Sequence, residues 1–117
     1  MNIVHLSFEN KGDIIHITIQ GRLEFSHNAV IQEKIEALIK ENRRKPKIII
    51  DIHELKFIGS SGVRDLIFLF KKINRITPRP RFVGVTSEFL TLFTALEGRK
   101  KFYLYKDRQT ATNSFDA

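Results

Sequence analysis

The chain reads as alternating short apolar blocks and longer amphipathic stretches. Ile15, Ile17 and Ile19 alternate with His16 and Thr18, the period of two that marks a strand with one inward and one polar face. Ile3 to Phe8 forms a similar run before it. Asn10-Lys11-Gly12 lies between them and predicts the turn of a β-hairpin, because glycine there can take φ > 0. Gly21-Arg22-Leu23 breaks the pattern. Ile31, Ile35, Leu38 and Ile39 then recur at helical spacing, with Gln32, Glu33, Lys34, Glu36 and Lys40 outward. Ser26 or Asn28 suits the cap of that helix, which should stop before Pro46.

Ile48-Ile49-Ile50-Asp51-Ile52 is a continuous β-branched run, as expected of a strand buried on both faces. After Leu55-Lys56-Phe57-Ile58 and Gly59-Ser60-Ser61-Gly62, the pattern predicts a helix from about Val63 to Ile76. At about 100° per residue, Val63, Leu66, Ile67, Phe70 and Ile73 share its core face, and Phe68 falls opposite, among Arg64, Lys71, Lys72 and Arg75. Phe82 to Val85 is a short strand. Thr86 or Ser87 then caps a helix carrying Phe89, Leu92, Phe93 and Leu96. Phe102 to Tyr105 is a last strand, and Asp107 onward a short helix expected to fray. The order ββαβαβαβ(α) implies an α/β fold: a mixed, mostly parallel sheet with an N-terminal hairpin and helices packed on it. No repeat or linker interrupts it, so residues 1–117 are expected to form one domain.

Composition narrows the reading. With 117 residues, 42% hydrophobic and 28% charged, the chain can fill a core without disulfides or metals. It has no cysteine, which removes thiolate ligands and cysteine nucleophiles and fits a reducing compartment. The longest apolar run, Leu66 to Phe70, is far short of a membrane span, and the first residues do not resemble a signal peptide. A cytoplasmic protein is expected. The net charge of +7 permits an acidic protein partner, nucleic acid or an anionic membrane, and does not choose among them.

Gly59-Ser60-Ser61-Gly62 is the tetrapeptide with most to say. It joins a strand to a helix, so Ser60 or Ser61 belongs at a helix N-terminus, where unpaired N–H groups and the positive end of the macrodipole converge. Two readings stand together: a serine cap eased by glycines, or a phosphorylation switch whose added charge those N–H groups would hold. It is not a phosphate-binding loop, since no Gly-Lys-Ser/Thr follows. Asp51 reads as a structural turn residue, because the acidic pair of a phosphoacceptor metal site is missing after the first strand. His5, His16, His27 and His53 lack paired ligand spacing and read as surface or half-buried. Neither catalytic residues, a metal nor a cofactor is expected.

From Ile48 through Ser60-Ser61-Gly62 to Ile67, the chain resembles the signature of the STAS domains, the anti-sigma factor antagonists and their relatives. That signature runs buried strand, Asp, short turn, aromatic-hydrophobic pair, then Ser-Ser-Gly or Ser-Ala-Gly opening a helix. Gly21-Arg22-Leu23-Glu24 is similar to the family's Gly-x-Leu-Asp, and Phe89 to Phe102, with Gly98, to its late helix-glycine-strand passage. The resemblance implies a binding protein rather than an enzyme. Its partner would be a serine kinase and anti-sigma factor of the histidine-kinase-like ATPase type. That kinase would phosphorylate the first serine of the motif, Ser60 here (Ser61 less so), and a phosphatase would reverse it. This chain departs from the pattern at Gly59, where well-known antagonists often carry Asp, and at Glu24, where the family has Asp.

The expected partner-binding set is Glu24, Gly59, Ser60, Ser61, Gly62, Arg64, Phe68 and Lys72, with Phe68 as an aromatic anchor among cations. Arg43-Arg44-Lys45-Pro46-Lys47 and Arg99-Lys100-Lys101 are further basic clusters without the aromatic interleaving of single-strand binders. A STAS-type subunit of a lipid-transport or sensor complex is the alternative, and a basic nucleic-acid-binding module a weaker one.

Overall fold

A computed structural model describes residues 4–23, 26–41, 46–56, 59–77, 79–85, 87, 90–91, 95 and 102–116, with 59–63 described through their backbone alone. Strands β1 (His5–Lys11) and β2 (Ile14–Arg22) pair antiparallel with Lys11 opposite Ile14, so the loop is Gly12-Asp13. Gly12 takes φ +64°, as the first central residue of a type II′ turn requires. The turn therefore lies one residue beyond Asn10-Lys11-Gly12. The hydrophobic pattern ends a strand at its last apolar residue, whereas the ladder continues through the polar Glu9, Asn10 and Lys11.

Helix α1 (His27–Glu41) buries Ile31, Ile35 and Leu38. Ser26 stands immediately before it. Asn28 is not its cap: it is buried inside the first turn and donates from Nδ2 to the Asp65 carbonyl at 3.3 Å, tying α1 to the next helix. Strand β3 (Lys47–Asp51) lies parallel to β2, with Ile15 opposite Ile48 and Ile17 opposite Ile50. Sequence patterning gave no sign of β4 (Leu55–Lys56), which pairs with Gly21 and Arg22; two residues are too few to show a period.

Helix α2 (Gly59–Ile76) buries Leu66, Ile67, Phe70 and Ile73 as expected, and also Leu69, which the narrower stripe omitted. Strand β5 (Arg81–Val83) follows on β3, and β6 (Tyr103–Tyr105) on β5, both parallel. The order is β1-β2-β3-β5-β6, with β4 added against β2. Ser87, Leu90, Thr91 and Ala95 are helical, and the Thr91 hydroxyl donates to the Ser87 carbonyl at 3.1 Å. Thr86, Phe89, Leu92, Phe93, Leu96 and Gly98 lie outside the described residues, as do both basic clusters except Pro46 and Lys47.

Alternation in the strands divides the core. Ile15, Ile17, Ile19, Ile48, Ile50 and Phe82 pack with α1 and α2, where Phe70 stacks on Phe82 with centroids 3.9 Å apart. Ile14, Ile49 and Val83 face the other way, onto Ala111 of helix α3 (Arg108–Ser114). This second cover explains a correction. His16 belongs to what reads as the polar face of β2, yet it is 5% exposed, and among the described residues nothing bonds its Nδ1. Burial, with Arg108 and Lys11 adding to it, lowers its pKa.

Helix α3, expected to fray, is fixed at both ends. Asp107 caps it by accepting from the Thr110 N–H at 2.7 Å. Beyond its C-terminus the Arg81 guanidinium lies 4.1 Å from the Phe115 ring and 4.8 Å from that of Tyr103, while its Nε donates to Ser114 Oγ at 2.7 Å.

Candidate functional site at the N-terminus of the second helix

Because β2, β3 and β5 run parallel, the chain leaves all three at the same end of the sheet. There the short strand β4 places the segment leading into α2 beside the exit of β2. Gly21 donates its N–H to the Glu54 carbonyl at 3.3 Å and Leu23 to the Lys56 carbonyl at 2.8 Å, while the Gln20 amide donates to the Glu54 carboxylate. Leu23, immediately before Glu24, is thus tied to Lys56, a few residues before Ser60. Glu24 itself lies outside the described residues.

Helix α2 begins at Gly59, four residues before the expected Val63. Gly59, Ser60, Ser61 and Gly62 therefore make up its first turn rather than a cap outside it. The early start is physically reasonable. First-turn N–H groups have no intrahelical partner to lose, so poor helix formers are tolerated there, and the hydrophobic period shows nothing of them. Those N–H groups, with the helix dipole, make the first turn a natural site for negative charge.

Positions 64, 68 and 72 follow one another at four-residue steps along α2, about 40° apart around its axis, and Ser60, one step before Arg64, lies about 80° round from Phe68. Arg64 is exposed, Phe68 is 40% exposed, and Lys72 is half-buried with its ammonium 4.9 Å from the Phe68 ring centroid. The structure thus brings Arg64, Phe68 and Lys72 together on the outer face of the helix whose first turn holds Ser60.

Behind the site is a polar network the sequence only hinted at. Asp51, 6% exposed at the end of β3, accepts the His53 N–H on Oδ1 at 3.0 Å, which closes a side-chain turn, and meets the His53 ring at 2.6 Å. Its Oδ2 accepts from Arg108 Nε at 2.9 Å, and the same guanidinium donates to Thr18 Oγ1 at 2.8 Å. Both carboxylate oxygens are occupied, so Asp51 is the turn residue its place suggested. Burial alone would raise its pKa, but the bonds from the His53 N–H, the His53 ring and Arg108 together hold it below the ordinary carboxylate value. The hydrogen bond to Asp51 chiefly raises the His53 pKa, against slight burial, and the charges of Asp51 and Glu54 add to it.

Gly84 completes the packing. At φ +86° a Cβ there would lie 2.5 Å from the His53 nitrogen. The Asp51-Ile52-His53 spacing is the one local sign of this network; Arg108, 57 residues away, gave none. Among the described residues no cluster of His, Asp or Glu has the makings of a metal site.

The model of the STAS domain matches residues 5–111. The chain belongs to the STAS domain family. Solved structures agree on the fold. A serine-to-glutamate variant of RsbS from Moorella thermoacetica is 15% identical, with TM-score 0.69, covering 95% of this chain and 94% of that one. An anti-sigma factor antagonist from Mycobacterium paratuberculosis is 19% identical, with TM-score 0.67 and coverage of 98% and 96%. The Bacillus cell fate determinant SpoIIAA in its phosphorylated form is 16% identical, with TM-score 0.58 and coverage of 97% and 100%. No curated protein matches the sequence. Among the described residues of this STAS domain, no helix is long and apolar enough to cross a membrane.

Proposed function

We propose that this STAS domain is an anti-sigma factor antagonist that docks through the N-terminal turn and outer face of α2. Its partner is a kinase-type anti-sigma factor with a histidine-kinase-like ATPase fold, and phosphorylation of Ser60 by that kinase ends the complex. The observation that supports this reading is the place of Ser60 in the first turn of α2, the helix that carries Arg64, Phe68 and Lys72 on its outer face. A phosphate there would sit on unpaired N–H groups and put about two negative charges at the head of a basic docking face. Glu24, one residue beyond the bonded Leu23, joins the docking rim with Gly59, Ser61 and Gly62. The protein binds rather than catalyses, works in the cytoplasm, and is reset by a phosphatase. Anti-sigma factor antagonists among its structural neighbours support the role.

The test is phosphorylation by the cognate kinase with Mg-ATP, read by intact mass and peptide mapping. One phosphate should appear, Ser60→Ala should abolish it, and Ser61→Ala should leave most of it. Phosphate on Ser61 alone, or none with a kinase shown to bind, overturns the assignment. Recovery of transporter subunits from lysate, rather than an ATPase, would favour the transport-complex reading.

A further inference from the structure

Strand β1 is the end strand of the sheet, and among the described residues nothing pairs with its outer edge. Such an edge offers open N–H and C=O groups and is ordinarily blunted by proline, a bulge, charge or shortness. The opposite edge, β6, is only three residues long. β1 runs for seven, pairs with β2 without a bulge, contains no proline, and carries lysine only at its turn end. Phe8, at its centre, is 52% exposed.

We infer that β1 pairs antiparallel with β1 of a second copy of this chain, about a two-fold axis at Ser7. The hydrogen-bond pattern selects the strand groups involved. The pair flanking a two-residue hairpin loop is a bonded one, so Lys11, Glu9, Ser7 and His5 bond inward to β2. Leu6, Phe8 and Asn10 alternate with them and point their N–H and C=O groups outward. An axis at Ser7 sets Leu6 opposite the partner's Phe8 in a bonded pair.

Both residues lie on the helix-covered face, since Leu6 is opposite Ile19 and Phe8 opposite Ile17. Leu6 already packs on the core, so the exposed Phe8 ring would extend that apolar surface across the axis. On the other face His5 comes opposite the partner's Glu9, where a ring N–H can donate to the carboxylate. Moving the axis to Phe8 would instead set Leu6 against the partner's Asn10, an apolar side chain against a polar one. Polar and apolar pairing therefore both favour the axis at Ser7 over one at Phe8. The net charge of +7 opposes association, which makes these local pairs necessary.

Cysteine cross-linking tests the register directly, because the natural chain has no cysteine. Facing Ser7 residues would form a non-bonded pair with Cα atoms about 4.5 Å apart, inside the disulfide range of about 4.4–6.8 Å. Ser7→Cys should give a covalent dimer under mild oxidation. His5→Cys should not, since its two copies would be about 14 Å apart. Sedimentation of the natural chain at 0.15 M salt should show a concentration-dependent dimer, and Phe8→Lys should weaken it about tenfold or more. Glu9→Lys should weaken it too, with association recovered when His5→Glu is added. Circular dichroism melts check that each variant folds. A chain monomeric at millimolar concentration overturns the inference, as does a dimer indifferent to Phe8→Lys or equal cross-linking from positions 5 and 7.

Discussion

Phe68 and Phe70 are two residues apart on α2 and make opposite predictions. Phe70 is fully buried, stacked on Phe82, with the Phe102 centroid 6.0 Å away. Its truncation to alanine removes that packing and leaves a cavity, a loss of about 3–5 kcal/mol. Phe68 is 40% exposed, so somewhat over half of its surface is covered. If full burial of a phenylalanine is worth about 1.5–3 kcal/mol, that fraction is worth about 1–2. The Lys72 contact at 4.9 Å adds about 0.5–1 kcal/mol, and alanine's better helix propensity returns about 0.5. Phe68→Ala should therefore cost about 1–2 kcal/mol, clearly less than Phe70→Ala.

Urea melts of both variants give the stability difference, provided the slopes of the transitions match. Titration with the kinase-type anti-sigma factor supplies the second axis. Phe68→Ala should weaken binding by about 1–3 kcal/mol, the range for an aromatic anchor. Equal loss of stability in the two variants would refute the exposed placement of Phe68. A folded Phe68→Ala with unchanged affinity would refute its role in docking and leave it an ordinary exposed aromatic.

Arg108→Ala should cost about 1.5–3 kcal/mol by thermal melt, because it strips a charged hydrogen bond from the buried Asp51 carboxylate and frees α3 from β3; a loss below about 0.5 would make the pair incidental. Gly84→Ala should destabilise by at least about 1–2 kcal/mol, since alanine is strained at φ +86° and its Cβ meets the His53 backbone. A neutral melt for that variant would mean the 52–56 segment shifts freely. Stability should also vary with pH at both ends of a plateau. Asp51, with its folded pKa below 3.8, contributes stability that is full above that value and lost as the pH falls through the folded pKa. His16, buried with its pKa below 6.5, costs stability as the pH falls below 6.5, because the unfolded chain takes up the proton first. His53, with its pKa above 6.5, contributes below 6.5 and loses that contribution as the pH rises through its folded value, a small effect for a half-exposed ring. His16→Asn should flatten the slope between pH 6.5 and 4, and an unchanged slope would show that His16 is not held neutral.

What the sequence revealed, and what it hid, follows from the range of the forces concerned. The hairpin, α1, β3 and the body of α2 are periodic over six or more residues or β-branched throughout; burial in α1, β3 and α2 follows that pattern, whereas β2 is buried on both faces and β1 is mostly exposed. The head of α2 was legible as a motif but not as helix, because glycine and serine carry no period and first-turn geometry asks little of a side chain. β4 and the clamp on α3 were not legible at all. β4 is held to β2 by backbone bonds, and any sequence can supply those. The clamp joins Asp51 to Arg108 and Arg81 to Phe115, pairs 57 and 34 positions apart, with no signal at either end alone.

His16 shows what that omission does to a reading of chemistry. Judged from β2 by itself it occupies a wet, polar face; once α3 covers that face, it becomes a buried neutral imidazole and a source of acid sensitivity. The same helix supplies the guanidinium that locks Asp51, and Asp51 in turn bonds the backbone at His53, where the chain turns toward β4 and the head of α2. The proposed switch serine therefore depends on a C-terminal helix that shares no hydrophobic period with it. Removing α3 should loosen the 52–56 segment before it disturbs the core around Phe70, which packs on the other face of the sheet. Hydrogen exchange on Arg108→Ala separates the cases: protection should fall first at the amides of His53, Leu55 and Leu23, while those of Ile49 and Ile50 hold. A uniform fall across all of them would mean α3 supports global stability alone and has no particular hold on the site.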